Sequence, residues 1–232
     1  MTPRRVLITG VNRGLGAALA SLLYEAGHEV WGTTRSGDVD HPLSGCIRLE
    51  LTDESSVVAA ASELGARLDG LDLLINCAGA DARSFGADPT RRGPFDFDAA
   101  TFNSVLAANV TGPMLVTRCA LPLLRRGRNP MIVNVSSQLG SMKVAATTGD
   151  DTSYCVSKAG LNMLGAKSAE ALRPDGIGVV MLHPGWVQTD MGGSSAQMTI
   201  DESATAIVDT IGTLTLADSG RFIRWDGQDH PW

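Results

Sequence analysis

One feature near the start of the chain constrains its fold most: a strand, a glycine-rich turn and a helix in immediate succession. Val6-Leu7-Ile8 is an apolar run of strand length. It runs into Thr9-Gly10-Val11-Asn12-Arg13-Gly14-Leu15-Gly16 and then into residues 17–26, which are strong helix formers. Gly10 allows a tight turn, Gly14 lets a pyrophosphate approach the backbone, and Gly16 lets helix and strand pack closely. The helix N-terminus then presents free N–H groups and a partial positive charge to an anion. The spacing is GxxxGxG rather than GxGxxG, so its weight comes from its place between strand and helix.

Residues 29–34 (EVWGTT) read as the second strand. In a dinucleotide site the tip of this strand selects the ribose: an acid takes the 2′-OH of NAD, and an arginine accommodates the 2′-phosphate of NADP. The tip here is Thr33-Thr34-Arg35, and the glycine turn adds Arg13. Guanidinium suits bidentate phosphate binding, so the pattern favours NADP(H). Asp38 is the counter-evidence, although it follows Ser36-Gly37 in what reads as loop.

Further strands are expected at 46–51, 71–75, 131–135, 178–182 and 222–225. Residues 71–75 (LDLLI) form the near-continuous apolar run of a central parallel strand covered on both faces. Helices are expected at 57–68 after a Thr52-Asp53 cap, at 98–124 with a bend at Pro113, from 154 to about 173, and at 199–214. Residues 80–97 and 138–152 read as loops. Asn109 lies in an apolar helical context and needs partners, either as structural glue or in a functional role. Ligands of open α/β sheets bind beyond the carboxyl ends of the strands. The motifs ending strands one, four and five (the last at Ser136-Ser137) should therefore meet in one crevice. At 232 residues, with no linker or repeat, the chain reads as a single domain over 1–232.

Within Ser153-Tyr154-Cys155-Val156-Ser157-Lys158 the tyrosine and lysine are four apart, which puts them on one face of a helix. A phenol is a poor acid–base group at neutral pH, and a nearby ammonium favours its ionised form. The pair could exchange a proton with an alcohol or carbonyl oxygen. The chain has two tyrosines and three lysines, which makes an accidental pairing less common.

Composition narrows the partners. A net charge of −6 argues against a general nucleic-acid binder. Cys46, Cys77, Cys119 and Cys155 form no CxxC, which suits reduced thiols in a cytoplasmic protein and not a disulfide frame or metal site. No signal-peptide core is present, and no apolar stretch is read as long enough to span a membrane.

Taken in order, TGVNRGLG at 9–16, NCAG at 76–79, Asn109 in AANVTGP, VNVSS at 133–137, YCVSK at 154–158 and HPGWVQTD at 183–190 resemble the short-chain dehydrogenase/reductase family over nearly the whole chain. The GVNRG turn, the HPGWVQTDMGG segment and the ending RFIRWDGQDHPW resemble its carbonyl-reductase-like subgroup of Sniffer-type reductases and bacterial C-factor proteins. The resemblance implies one doubly wound Rossmann domain, a mostly parallel seven-stranded sheet in the order 3-2-1-4-5-6-7 with helices on both faces. It also implies NADPH-dependent reduction of a ketone or aldehyde to an alcohol, or the reverse. Tyr154 would donate or accept the proton, with Lys158 lowering its pKa and holding the nicotinamide ribose. Ser137 would bind the substrate oxygen, and Asn109 would hold a water relaying protons to Lys158. Gly10, Asn12, Arg13, Gly14, Leu15, Gly16, Arg35, Glu50 and Leu51 would hold the adenosine and phosphates of the cofactor. Asn76, Ala78 and Gly79 would line its middle, and Pro184, Gly185, Val187 and Thr189 its nicotinamide end.

Three departures from the family pattern stand out. Cys77 replaces an asparagine, Glu50 replaces the usual adenine-contacting aspartate, and the interval from Ser137 to Tyr154 is lengthened around 145–152. The last leaves Ser136 as an alternative to Ser137. Phe85, Phe95, Met142, Trp186, Met191 and Met198 suggest an apolar substrate region. Family members often form dimers or tetramers. The C-factor likeness implies an alternative role as an NADP(H)-binding signalling protein with incidental turnover.

Overall fold

In the computed structural model, which describes residues 2–88, 90, 92–96 and 98–232, helices separate successive members of seven strands, except between the second and third. Three positions of the loop expected at 80–97, namely 89, 91 and 97, lie outside the described residues. The strands are β1 (Arg5–Thr9), β2 (Glu29–Thr34), β3 (Gly45–Arg48), β4 (Leu73–Asn76), β5 (Met131–Val135), β6 (Gly178–His183) and β7 (Phe222–Arg224). They join in the order β3-β2-β1-β4-β5-β6-β7, and all these pairings are parallel. The order reverses between β1 and β4, so their carboxyl ends open a crevice there.

The helices are α1 (Gly14–Glu25), α2 (Glu54–Gly65), α3 (Ala99–Leu106), α4 (Gly112–Leu124), α5 (Met142–Ala145), α6 (Thr152–Leu172) and α7 (Ile200–Thr213). Alternation along β1 explains the two layers. Val6 and Ile8 face a core completed by Leu19 and Leu23 of α1 and by Ile207 and Ile211 of α7. Leu7 faces the opposite core, completed by Val57 and Leu64 of α2, Leu115 and Val116 of α4, and Leu172 of α6. Each layer buries apolar stripes that a strand or helix alone would leave in water.

Several boundaries differ from the sequence expectation. Strand β3 stops at Arg48 because the Glu50 N–H turns to the Ser56 hydroxyl (2.9 Å). Helix α2 starts earlier, at Glu54, where Asp53 accepts from the Ser55 N–H. The helix expected over 98–124 is not continuous: a π-helical segment, Ala107–Thr111, separates α3 from α4. Pro113 has no N–H to give the carbonyl four residues back, that of Asn109, so the widened register precedes it. The expected loop at 138–152 contains a 3₁₀ turn, Gln138–Gly140, and α5.

By length and apolar character alone, Ala99–Leu124 could cross a membrane, contrary to the sequence expectation. It is a core helix pair here, with Val105, Leu115, Val116, Leu123 and Leu124 buried. A charged residue missed by the sequence reading anchors the other end of the sheet. Asp72, whose side chain is fully buried, accepts from Arg5 Nη2 (2.8 Å) and from the backbone N–H groups of Arg5 (2.9 Å) and Arg128 (2.6 Å).

Candidate active site

The crevice beyond the strand ends is lined from both sides by the predicted motifs. Gly10, Asn12, Arg13, Gly14, Leu15 and Gly16 form one wall, with Arg35, Glu50 and Leu51 beyond them. Ala78, Gly79, Ser137, Tyr154 and Lys158 form the floor, and Pro184, Gly185, Val187 and Thr189 line it from the segment after β6, with Thr189 over Gly14. Asn76 and Asn109 do not line it.

The glycine turn is built as its sequence requires. Gly10 has a φ of 77°, and a Cβ on Gly16 would stand 2.2 Å from the Gly10 carbonyl oxygen. Only glycine lets strand and helix meet this closely. Arg13, the residue before α1, makes no side-chain capping bond, so the first-turn N–H groups of α1 remain for an anion. At the tip of β2, Arg35 and Ser36 line the crevice and Asp38 does not. The Thr34 hydroxyl donates to the Asp38 carbonyl (3.0 Å) and accepts from the Gly37 N–H (2.9 Å), closing that turn on itself. Glu50 accepts from the Thr52 hydroxyl (3.0 Å). These features fit a dinucleotide.

Asn76 is a tie within the sheet. Its amide donates to Asn134 Oδ1 (2.8 Å) across the β4–β5 pair and to the Thr117 hydroxyl (3.2 Å). Asn109, on the π-helical segment, accepts from the Ala80 N–H (2.8 Å) and donates to the Ala80 carbonyl (2.7 Å) and the Ser157 hydroxyl (2.9 Å). Ser157 in turn donates to the Tyr154 carbonyl (2.7 Å). Asn109 therefore fastens the segment after β4 to the first turn of α6.

Tyr154 and Lys158 share one face of α6, with the ammonium 5.5 Å from the phenol ring centroid. Lys158 is 4% exposed and donates to the Val135 carbonyl (2.9 Å). Burial lowers its pKa to about 8, opposed in part by Cys77. The phenol is not lowered as expected. Burial raises its pKa above the ordinary tyrosine value, the charge of Asp81 adds to this, and the Ser137 hydroxyl, a hydrogen-bond partner, acts in the opposite direction. Ser137 thus faces the phenol, whereas Ser136, 2% exposed, donates to Asn162 Oδ1 (2.6 Å).

The sequence reading assigned no role to Cys77, Asp81 or His183, all of which line the crevice. Cys77 lies beneath the glycine turn, and burial pushes its thiol up to about 11. His183 is wedged between Trp225 and His230, and burial lowers its pKa to about 3, with His230 adding to the effect. Cys77 directly follows β4, Asp81 lies a few residues further on and His183 ends β6, so a place at a strand's carboxyl end was the available clue. Of the expected apolar substrate residues, Phe85, Trp186 and Met191 line the crevice. Phe95 and Met142 are exposed outside it, and Met198 packs under Gly185.

The sequence matches the short chain dehydrogenase family over residues 4–199. It is 40% identical to C-signal of Myxococcus xanthus over 137 residues, which cover 59% of this chain and 82% of C-signal. The NADPH-bound carbonyl reductase from chicken fatty liver superposes with a TM-score of 0.88 at 32% identity, covering 100% of both chains. Carbonyl reductase Sniffer of D. melanogaster gives a TM-score of 0.88 at 29% identity, covering 99% of this chain and 100% of Sniffer. The chain belongs to the short-chain dehydrogenase/reductase family of oxidoreductases and is of the Sniffer and C-factor type.

Proposed function

We propose that the protein reduces ketones or aldehydes to alcohols with NADPH, and that the same residues serve the reverse reaction. The observation that carries this reading is the meeting of Ser137, Tyr154 and Lys158 on the floor of a crevice walled by the glycine turn. When bound, NADPH supplies the hydride for the carbonyl carbon. Tyr154 donates its phenolic proton to the developing alkoxide, and its raised pKa keeps that proton in place at neutral pH. Ser137 and Tyr154 together donate hydrogen bonds to the substrate oxygen, which counts most in a site poor in water. Lys158, anchored on Val135, holds the nicotinamide ribose and remains mostly charged at pH 7. Asn109 fixes the Tyr154 turn, and the spare lone pair of its Oδ1, beside Lys158 across Gly79, is the acceptor for a relay water.

Arg13 and Arg35 bind the 2′-phosphate, with the glycine-turn residues, Glu50, Leu51, Ala78 and Gly79 along the rest of the cofactor. Asn76 acts from beneath through its hold on β5. Pro184, Gly185, Val187 and Thr189 border the nicotinamide. The substrate is a small molecule with an apolar part, met by Phe85, Trp186 and Met191. Met114, Val156 and Met163 leave apolar surface on α4 and α6 for self-association into dimers or tetramers.

The test is NADPH consumption against a panel of ketones and aldehydes, repeated with NADH. Turnover with NADPH faster than with NADH is expected, and Arg35→Asp should narrow that difference. Faster wild-type turnover with NADH would contradict the phosphate assignment. The likeness to C-signal favours a second reading, a cofactor-binding signalling protein. Tight NADPH binding with no turnover across the panel would support it.

A further inference from the structure

Arg13 and Arg35 stand at the same end of the crevice but in different surroundings. Arg35 has no ion-pair or hydrogen-bond partner among the described residues. Arg13 reaches across the mouth and pairs with Asp190, a residue 177 positions away in the loop after β6. Both side chains are largely exposed, at 69% and 77%. That loop lies directly over the glycine turn: a Cβ on Gly14 would stand 3.6 Å from the Thr189 methyl.

Resting on the assignment of Arg13 to the 2′-phosphate, we propose that Asp190 is a specificity-determining residue that competes with this phosphate for the Arg13 guanidinium. A phosphate that takes the Arg13 guanidinium must displace the Asp190 carboxylate, and the lost ion pair offsets part of what the new contact contributes. NADH carries no such phosphate and escapes the penalty. Asp190 therefore weakens NADPH binding selectively and lowers a preference that the two arginines alone would set higher.

The loop does not depend on Asp190 for its place. Arg83, paired with Asp81 (2.6 Å), donates to the Met191 carbonyl (2.8 Å). Trp186 Nε1 donates to the Gly192 carbonyl (2.9 Å), and the Gly192 N–H donates to the Thr189 hydroxyl (3.1 Å). Replacing the carboxylate thus changes charge and leaves the loop tied down.

The experiment is calorimetric titration of the full chain with NADPH and with NADH, for wild type, Asp190→Asn, Arg13→Ala and the double variant. Asp190→Asn should tighten NADPH about two- to fivefold, the range that an exposed ion pair is worth. It should leave NADH nearly unchanged, and the gain should shrink as salt is added. In the Arg13→Ala background the same substitution should leave NADPH affinity nearly unchanged. Arg13→Ala alone should weaken NADPH, and if it does not, the phosphate assignment itself fails. If Arg13→Ala weakens NADPH but Asp190→Asn does not tighten it, or tightens it equally without Arg13, the competition is overturned and the assignment stands.

Discussion

Ser136 gives its hydroxyl proton to Asn162 Oδ1 at 2.6 Å inside the protein, and this bond separates the work of two adjacent serines. Asn162 also donates to the Gly140 carbonyl (3.2 Å), so Ser136 belongs to the seam between β5 and α6. Both serines border the crevice, but Ser137, one residue on, is the one that meets the Tyr154 phenol. Ser137→Ala should lower kcat about 10²-fold with little change in stability, as loss of one oxyanion donor does. Ser136→Ala should cost about 1–3 kcal/mol of stability, because it strands a buried acceptor, and should spare most of kcat. Turnover on the most active panel carbonyl and urea denaturation of both variants measure this. The opposite pattern would transfer the catalytic role to Ser136.

The pH profile of reduction should follow Lys158. Its lowered pKa of about 8 means that the ammonium is lost as pH rises through that value. Tyr154, raised above the ordinary phenol, stays protonated over the same interval. The reductive kcat/KM should therefore be high near neutrality and fall as pH rises through about 8, since this ratio reports the free enzyme. Lys158→Arg should move the fall to higher pH, because a guanidinium does not titrate there. A wild-type profile flat across that value would separate Lys158 from the rate.

Asp72 should matter to stability rather than to turnover. Burial alone would raise its pKa, but hydrogen bonds from Arg5 and from the Arg128 N–H hold it well below the usual carboxylate range. Its contribution is complete above the unfolded carboxylate value of about 4 and is lost as pH falls toward the lower folded value. Asp72→Asn should cost about 3 kcal/mol at neutral pH, the low end for breaking a buried pair, because Arg5 keeps part of its exposure. Urea denaturation at neutral and acidic pH checks this. An equal loss for the variant and wild type on acidification would remove Asp72 from the account.

How much of this was legible depended on whether the cause was local. Helix α1, β4 and the glycine turn follow from apolar spacing and backbone freedom, and Tyr154 and Lys158 were found from helical period alone. Asp72 was hidden inside an apolar run because its partners Arg5 and Arg128 lie on other segments. The π-helical segment also escaped, since Pro113 marks a disturbance without saying that the register widens before it. Asn76 and Asn109 were expected to work at the crevice, but the partners that hold them there, Asn134, Ala80 and Ser157, lie on other segments and could not be read from spacing. The Tyr154 phenol was expected to be lowered by its lysine neighbour. Burial and Asp81 raise it instead, and neither is visible from spacing.

The proposed NADPH-dependent carbonyl reduction depends above all on proton delivery by Tyr154. Single-turnover and steady-state NADPH consumption by wild type and Tyr154→Phe, on the same panel of ketones and aldehydes, tests it most directly. The variant should bind NADPH with nearly unchanged affinity and lose about 10²–10⁴-fold in kcat, the usual contribution of a positioned proton donor. Turnover close to that of wild type in Tyr154→Phe would contradict the assignment.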